Sequence, residues 1–257
     1  MPTKRRRVTP TSVKRARVNP KARNKIVAVP RNKLAFPSGI RTKLRYTGKF
    51  AFDIGSETGI LQKTFRANSI FDPDYSLGGH QPRGTDQYAE IYNMYTVHSS
   101  SCAITWCYQG YLGPSTEGTA PLELIQSENT VAAAGVPALS PVIVGLHKGT
   151  DQLLAGSAEE QIEKDKTQWQ VLTPHRDPIT QKTTVRMSDF YGTTGDLTGR
   201  DGFAAALDAD PVNSAYFEVF AGRMSGSTDG SKCKLWGLVN LEYDVTFSEP
   251  KALTQST

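Results

Sequence analysis

The first fifty residues contain no aspartate or glutamate. They hold 16 of the 30 lysines and arginines, which leaves 14 basic and all 25 acidic residues in 51–257. The formal net charge of +5 therefore conceals about +16 in the first fifth and about −11 in the rest. A split of that size points to a segment with a polyanionic partner attached to a body with a different task. Cysteine is also scarce: Cys102, Cys107 and Cys233 are an odd set with no CxxC spacing. That disfavours a disulfide framework or zinc cluster and is read as free thiols. No apolar run approaches the roughly 18 residues of a membrane helix. The basic start has no apolar core behind it, so no secretory signal is expected.

Catalytic signatures are missing as well. His80, His98, His147 and His175 stand apart, and HExxH, GxSxG and GxxxxGK do not occur. The expectation is a protein that is not an enzyme and has no cofactor and no metal. Asp72 with Asp74, or Asp201, Asp208 and Asp210, could offer oxygens to Ca²⁺. A turn at Asp72-Pro73-Asp74 and a solvated acidic loop are the simpler readings.

What is present begins with the basic segment. Residues 1–40 carry Pro2, Pro10, Pro20, Pro30 and Pro37 and no hydrophobic period. High charge without apolar surface cannot offset ordering entropy, so a disordered arm is expected. Its candidate nucleic-acid contacts are Lys4, Arg5, Arg6, Arg7, Lys14, Arg15, Arg17, Lys21, Arg23, Lys25, Arg31 and Lys33. Each cation near a phosphate releases condensed counterions, which binds nucleic acid without reading its sequence. Lys4–Arg7 and Lys14, Arg15 and Arg17 also form two clusters with the spacing of a nuclear import address. A plain solubilising tail is the third reading.

From residue 40 the pattern becomes that of a β protein. In IRTKLRYTGKFAFD, Ile40, Leu44, Tyr46, Phe50 and Phe52 fall on one face. Arg41, Lys43, Arg45 and Lys49 fall on the other, a period of two. Further strands are expected over 59–71, in one or two pieces over 94–109, and over 138–147, 167–173, 183–190 and 215–224. A closing strand, 234–247, places Leu235, Val239, Leu241, Tyr243, Val245 and Phe247 together. Short helices are expected over 85–95 and 156–164, the latter with Ser157 and Glu160 at capping-box spacing. About eight strands without a βαβ rhythm imply an antiparallel sandwich or barrel. The long connections 110–137 and 191–214 are expected to contact partners.

The cations of 41–49 extend the positive charge from the arm onto a rigid surface. They therefore join the candidate nucleic-acid contacts. Two other readings stand beside this one: a charged edge strand, or pairing with Glu242 and Asp244 on the outer side of the last strand. Trp236, on that same side, is either a subunit contact or a stacking platform.

The stretch ANSIFDPDYSLGGHQPRGTDQYAEIYNMYTV, 67–97, resembles the capsid proteins of circular single-stranded DNA viruses that encode a replication initiator, the circovirus-like group. The resemblance is carried by Asn68, Ser69, Ile70, Asp72, Pro73, Gly78, Gly79, Gln81, Pro82, Asp86, Gln87, Tyr92, Tyr95 and Val97. The closing strand 241–247, Pro250 and the basic arm add to it. It implies one jelly roll of eight strands in two sheets, BIDG and CHEF. Strand B would be 41–53, C 59–71, D 92–99, E 102–109, F 138–147, G 167–188, H 215–224 and I 235–247. It implies a basic arm over 1–40, a capsid domain over 41–250 and a tail over 251–257.

The resulting expectation is a coat protein that assembles with itself into an icosahedral shell of about sixty copies. It would package circular single-stranded DNA on its arm and inner sheet face, with RNA as the second choice. A host nuclear import receptor and a cell-surface receptor are expected partners, and the virion and the host nucleus the expected locations. The alternatives are a cellular nuclear β-sandwich that binds nucleic acid, and the coat of a small RNA or satellite virus.

Overall fold

The computed structural model describes residues 37–54, 59–76, 79–112, 141–151, 156–173, 177–223 and 232–252. The twelve arm cations therefore lie outside the described residues, as does most of 110–137. Nine strands are described: β1 (Gly39–Ile54), β2 (Ile60–Arg66), β3 (Tyr92–Leu112), β4 (Val142–Gly149), β5 (Thr167–Leu172), β6 (Ile179–Arg186), β7 (Ala204–Ala206), β8 (Tyr216–Arg223) and β9 (Lys232–Pro250). Three short helices accompany them: α1 (Thr85–Ala89), α2 (Ala158–Ile162) and α3 (Met187–Phe190).

Every pairing between these strands is antiparallel. One sheet has the order β1-β9-β3-β6, with β7 added alongside β3. The other has the order β2-β8-β4-β5. With β7 set aside, lettering the remaining strands B to I along the chain turns these orders into B-I-D-G and C-H-E-F. The fold is thus an eight-stranded jelly roll.

The lettering corrects three strand boundaries. The segment expected as D and E is one strand, β3. Strand E is β4, which was expected as F. The stretch expected as G divides into β5 and β6, which flank Pro174 and Pro178, residues without an amide proton. The misreading of β3 has a local cause. The register with β9 slips between Val97 and Ser99, so His98 is the extra residue of a β-bulge. Tyr95 and Val97 point inward before it and Ser100, Cys102, Ile104 and Trp106 after it, so the alternation changes phase at His98. In sequence that phase change looks like a bend.

Helix α1 is also shorter than the 85–95 expectation. Tyr92 and Tyr95 belong to β3, where both are buried. Helix α2 starts as expected: the Ser157 hydroxyl accepts the Glu160 backbone N–H at 3.3 Å.

The inward faces of both sheets make one core, in which the Phe50 ring contacts those of Phe52, Phe65 and Trp106. Phe50 lies directly over Gly237, its register partner, where a Cβ would collide with the ring. Two buried polar links tie the sheets together. Tyr243 of β9 donates to the Arg66 carbonyl of β2 at 2.8 Å. Gln181 of β6 accepts from Trp106 Nε1 at 3.0 Å and donates to the Val144 carbonyl of β4 at 3.4 Å.

The two outer faces differ. On the β2-β8-β4-β5 sheet, α2 covers a second small apolar cluster of Ile143, Ala158 and Phe220. Among the described residues no helix covers the β1-β9-β3-β6 sheet in this way, and its outer face is mostly polar, with Trp236 and Leu238 exposed on it.

Four of the residues that carried the resemblance, Asn68, Ser69, Asp72 and Tyr95, act here with Arg66 as a clamp. Asn68 donates to the Asn213 carbonyl at 2.6 Å and accepts the Ala215 N–H at 3.0 Å. Ser69 donates to Asp210 and lies 3.3 Å from the Tyr95 hydroxyl, which in turn donates to the Ala209 carbonyl. Arg66 pairs with both Asp72 and Asp210, at 2.8 and 3.3 Å. The turn after β2 thereby pins the segment 207–215. That segment belongs to the expected loop 191–214, which also contains β7.

Replacing Asn68 by Ala strands a buried donor and a buried acceptor. We expect a loss of about 2–3 kcal/mol in chemical denaturation, with hydrogen exchange rising first over 207–215. Unchanged stability would show that the clamp is decorative.

Candidate nucleic-acid interface

The alternation of β1 fixes which residues face outward. Leu44, Tyr46, Phe50, Phe52 and Ile54 are buried, so Arg41, Lys43, Arg45, Lys49 and Asp53 point away from the core. β9 pairs with β1 from Gly39↔Ser248 to Ile54↔Cys233 and presents Lys234, Trp236, Leu238, Asn240, Glu242, Asp244 and Thr246 on the same side. β3 contributes small neutral residues, Ser99, Ser101, Ala103 and Thr105. β6 contributes Lys182, Thr184 and Arg186.

The described part of this face holds seven cations, Arg41, Lys43, Arg45, Lys49, Lys182, Arg186 and Lys234. Three carboxylates, Asp53, Glu242 and Asp244, oppose them. The face keeps a net positive charge, but the charge is not spread evenly.

At one end the pairing reading of the sequence holds. The Arg41 guanidinium makes a bidentate contact to Asp244, at 2.8 and 2.6 Å. Lys43 and Arg45 both donate to Glu242, at 2.8 and 3.2 Å. These are cross-strand and diagonal neighbours of an antiparallel pair. The hydrogen bond from Arg41 holds the Asp244 carboxyl below its ordinary range, and the bond from Lys43 does the same for Glu242. Arg41 and Lys43 are raised in turn, chiefly by those same bonds. Three of the four strand cations expected to meet nucleic acid are thus already engaged by carboxylates.

At the other end Lys49 is exposed and faces Leu238, and among the described residues no carboxylate pairs with it. The same holds for Lys182 and Arg186 on β6. Sequence reading missed these two, although Gln181, Thr183 and Val185 alternate with them inward along β6. Lys234 sits 3.7 Å from Asp53 and 5.8 Å from the Trp236 ring centre.

The bulge residue His98 is half-buried beside the paired end. It contacts the Thr246 hydroxyl at 2.8 Å and lies 3.9 Å from Asp196. Burial first, then the Arg41 charge, holds its imidazole below the ordinary histidine range.

The other candidate residues are structural. Asp74 pairs with Lys63 at 2.8 Å and caps the Ser76 amide, which makes the Asp-Pro-Asp stretch a turn. Among the described residues no group of three or more His, Cys, Asp or Glu is placed to hold a metal ion. Cys102 and Cys107 are free thiols.

The carboxylates of the paired end have depressed native pKa values. Their stabilisation is therefore present above the unfolded carboxylate range, about 4, and is lost as pH falls through the lower native values. The exposed Arg41–Asp244 pair is worth about 0.2–1 kcal/mol. The double variant Asp244→Asn with Glu242→Gln should melt below the parent at pH 7, and the gap should begin to narrow below about pH 4, close as pH falls through the lower native values, and shrink in high salt. A gap that stays constant as pH falls from 7 to 2 would contradict the pairing.

No family model matches the chain, and no curated protein matches it. Solved structures do resemble it. The BFDV capsid protein, as a 60-mer, is 11% identical over 86% of this chain and 100% of that one, with a TM-score of 0.41. Turnip yellow mosaic virus at 100 K is 11% identical over 86% and 100%, with a TM-score of 0.38. The semi-empty VLP of the giant freshwater prawn Macrobrachium rosenbergii nodavirus is 13% identical over 88% and 100%, with a TM-score of 0.38. The assignment of this chain as a jelly roll rests on its own strand order.

Proposed function

We propose that the chain is a viral coat protein. About sixty copies close into an icosahedral shell around a single-stranded genome, with circular DNA as the first choice of cargo. The observation that carries this reading is the junction of two unlike parts. A segment with 12 lysines and arginines and no acid, residues 1–36, runs directly into β1. β1 is the border strand of a jelly-roll sheet whose open outer face keeps an excess of positive charge. A polycation leading into a positive sheet face suits a polyanion held on one side of a wall.

The charge balance supports the same reading. Twelve cations on each of about sixty arms supply roughly 700 positive charges, enough to neutralise a large share of a kilobase-scale single strand. The arm clusters Lys4–Arg7 and Lys14, Arg15 and Arg17 also serve nuclear import before assembly. The cell-surface receptor would be met by the side of the shell away from the arm.

Size exclusion of the purified chain with absorbance at 260 and 280 nm tests the proposal. Sixty copies of a 28.1 kDa chain give particles of about 1.7 MDa, which should carry nucleic acid. A species of one to four subunits would favour a cellular nucleic-acid-binding module. Removal of residues 1–36 leaves β1 whole; the shells should persist and the bound nucleic acid should fall severalfold. Packaging at the full level would refute the role given to the arm.

A further inference from the structure

We infer that the β6 border of the β1-β9-β3-β6 face is a phosphate site for the backbone of single-stranded nucleic acid, formed by Lys148, Lys182 and Arg186 around the hydroxyls of Ser101 and Thr184. The cargo, and only the cargo, rests on the coat-protein reading. Lys182, Thr184 and Arg186 point outward along β6, while Gln181, Thr183 and Val185 are buried between them. Outward neighbours on a strand stand about 7 Å apart. The register sets Lys182 beside Ala103, Thr184 beside Ser101 and Arg186 beside Ser99. The Thr184–Ser101 pair therefore lies midway between two exposed cations.

The third cation comes from the other sheet. Lys148, near the end of β4, reaches across to β6 and donates to the Thr184 carbonyl at 2.7 Å. An ammonium has three donors, so two remain after that bond. Among the described residues no carboxylate pairs with Lys148, Lys182 or Arg186. Across the register Glu242 stands beside Ser101 and Asp244 beside Ser99. Both are held from β1 by Arg41, Lys43 and Arg45, three charges against two. The pairing on β1 thus keeps these carboxylates from cancelling the cations of β6. Asp177 and Asp189 lie beyond the two ends of β6.

What lies between the charges identifies the partner. The other outward residues of β3 and β6 here are Ser99, Ser101, Ala103, Thr105, Thr180 and Thr184. None is the large anchor that a protein partner buries at the centre of an interface. Small hydroxyl side chains let a nucleic-acid backbone come close and donate to its phosphate oxygens. Lysine and arginine on either side supply charge-assisted bonds. The position agrees. β1 begins at Gly39, just beyond Arg41, so the chain that carries the twelve cations of 1–36 enters at the Arg186 end of the sheet. Backbone contacts carry no base sequence, so the site would hold any single strand.

Titration of the full-length protein, freed of nucleic acid, with fluorescently labelled oligo(dT) at several salt concentrations tests the site. Lys182→Gln with Arg186→Gln should lower the salt slope by about 1.4, because each phosphate contact on a single strand contributes about 0.7. Lys182→Arg with Arg186→Lys should keep the parent slope. Ser101→Ala with Thr184→Val should weaken binding about threefold at every salt and leave the slope unchanged, because a hydroxyl releases no counterion. Reductive coupling to an oligonucleotide that bears an aldehyde at one abasic position should mark Lys182 or Lys148 in the folded body, besides lysines of the arm.

A glutamine variant that keeps the parent slope, with no label on β4 or β6, overturns the site and leaves the coat-protein reading standing. Loss of self-association in that variant with unchanged oligonucleotide binding assigns the patch to a subunit contact and also overturns the site. A parent chain that binds no oligonucleotide overturns both readings.

Discussion

β9 is hydrogen-bonded on both sides over nearly its whole length, to β1 from Cys233 to Ser248 and to β3 from Lys232 to Pro250. Everything else in the molecule is arranged around that double ladder. Its inward residues Leu235, Val239, Leu241, Tyr243, Val245 and Phe247 are all 1% exposed or less and supply the centre of the core. Its outward residues decide the character of the open face. One strand therefore sets both the stability of the sandwich and its surface chemistry, because a period of two gives each face every second residue.

The consequence for binding is specific. A reading of β1 by itself gives a uniformly cationic strip. With β9 beside it, the strip divides into an end where Asp244 and Glu242 hold three of the cations and an end where Lys49 borders an exposed tryptophan. Exposed ion pairs stabilise a fold only slightly. Their larger effect here is on the field, since each carboxylate placed beside an arginine removes that charge from the long-range attraction of a polyanion. The outer face of the opposite sheet carries α2 over an apolar cluster, so the two sides of the sandwich are chemically distinct.

How much of this was legible in the sequence depended on the distance over which each feature is decided. β1 and β9 keep a strict alternation, and their buried residues could be read directly. Ser157 signalled the start of α2 for the same reason: a cap is a local bond. β3 was misread because a single bulge residue, His98, moves the inward positions from odd to even numbers, and only pairing with β9 reveals it. The contacts of Asn68, Ser69 and Arg66 with 209–215 span more than 140 residues. Nothing local to either segment announces them, although the resemblance had marked several of the residues involved. The pairing of Lys43 and Arg45 with Glu242 stood as one alternative among several, since register between strands distant in sequence must be known before partners can be named. The arm cations were the plainest feature of the sequence and lie outside the described residues.

The central claim is that the β1-β9-β3-β6 face looks onto packaged nucleic acid inside a closed shell. A density map of the particles formed by the full-length protein tests it most directly. The account predicts that this sheet lines the interior, with density for nucleic acid against its outward cations and the chain before residue 37 running inward. A shell with the α2-covered sheet turned to the genome would contradict it.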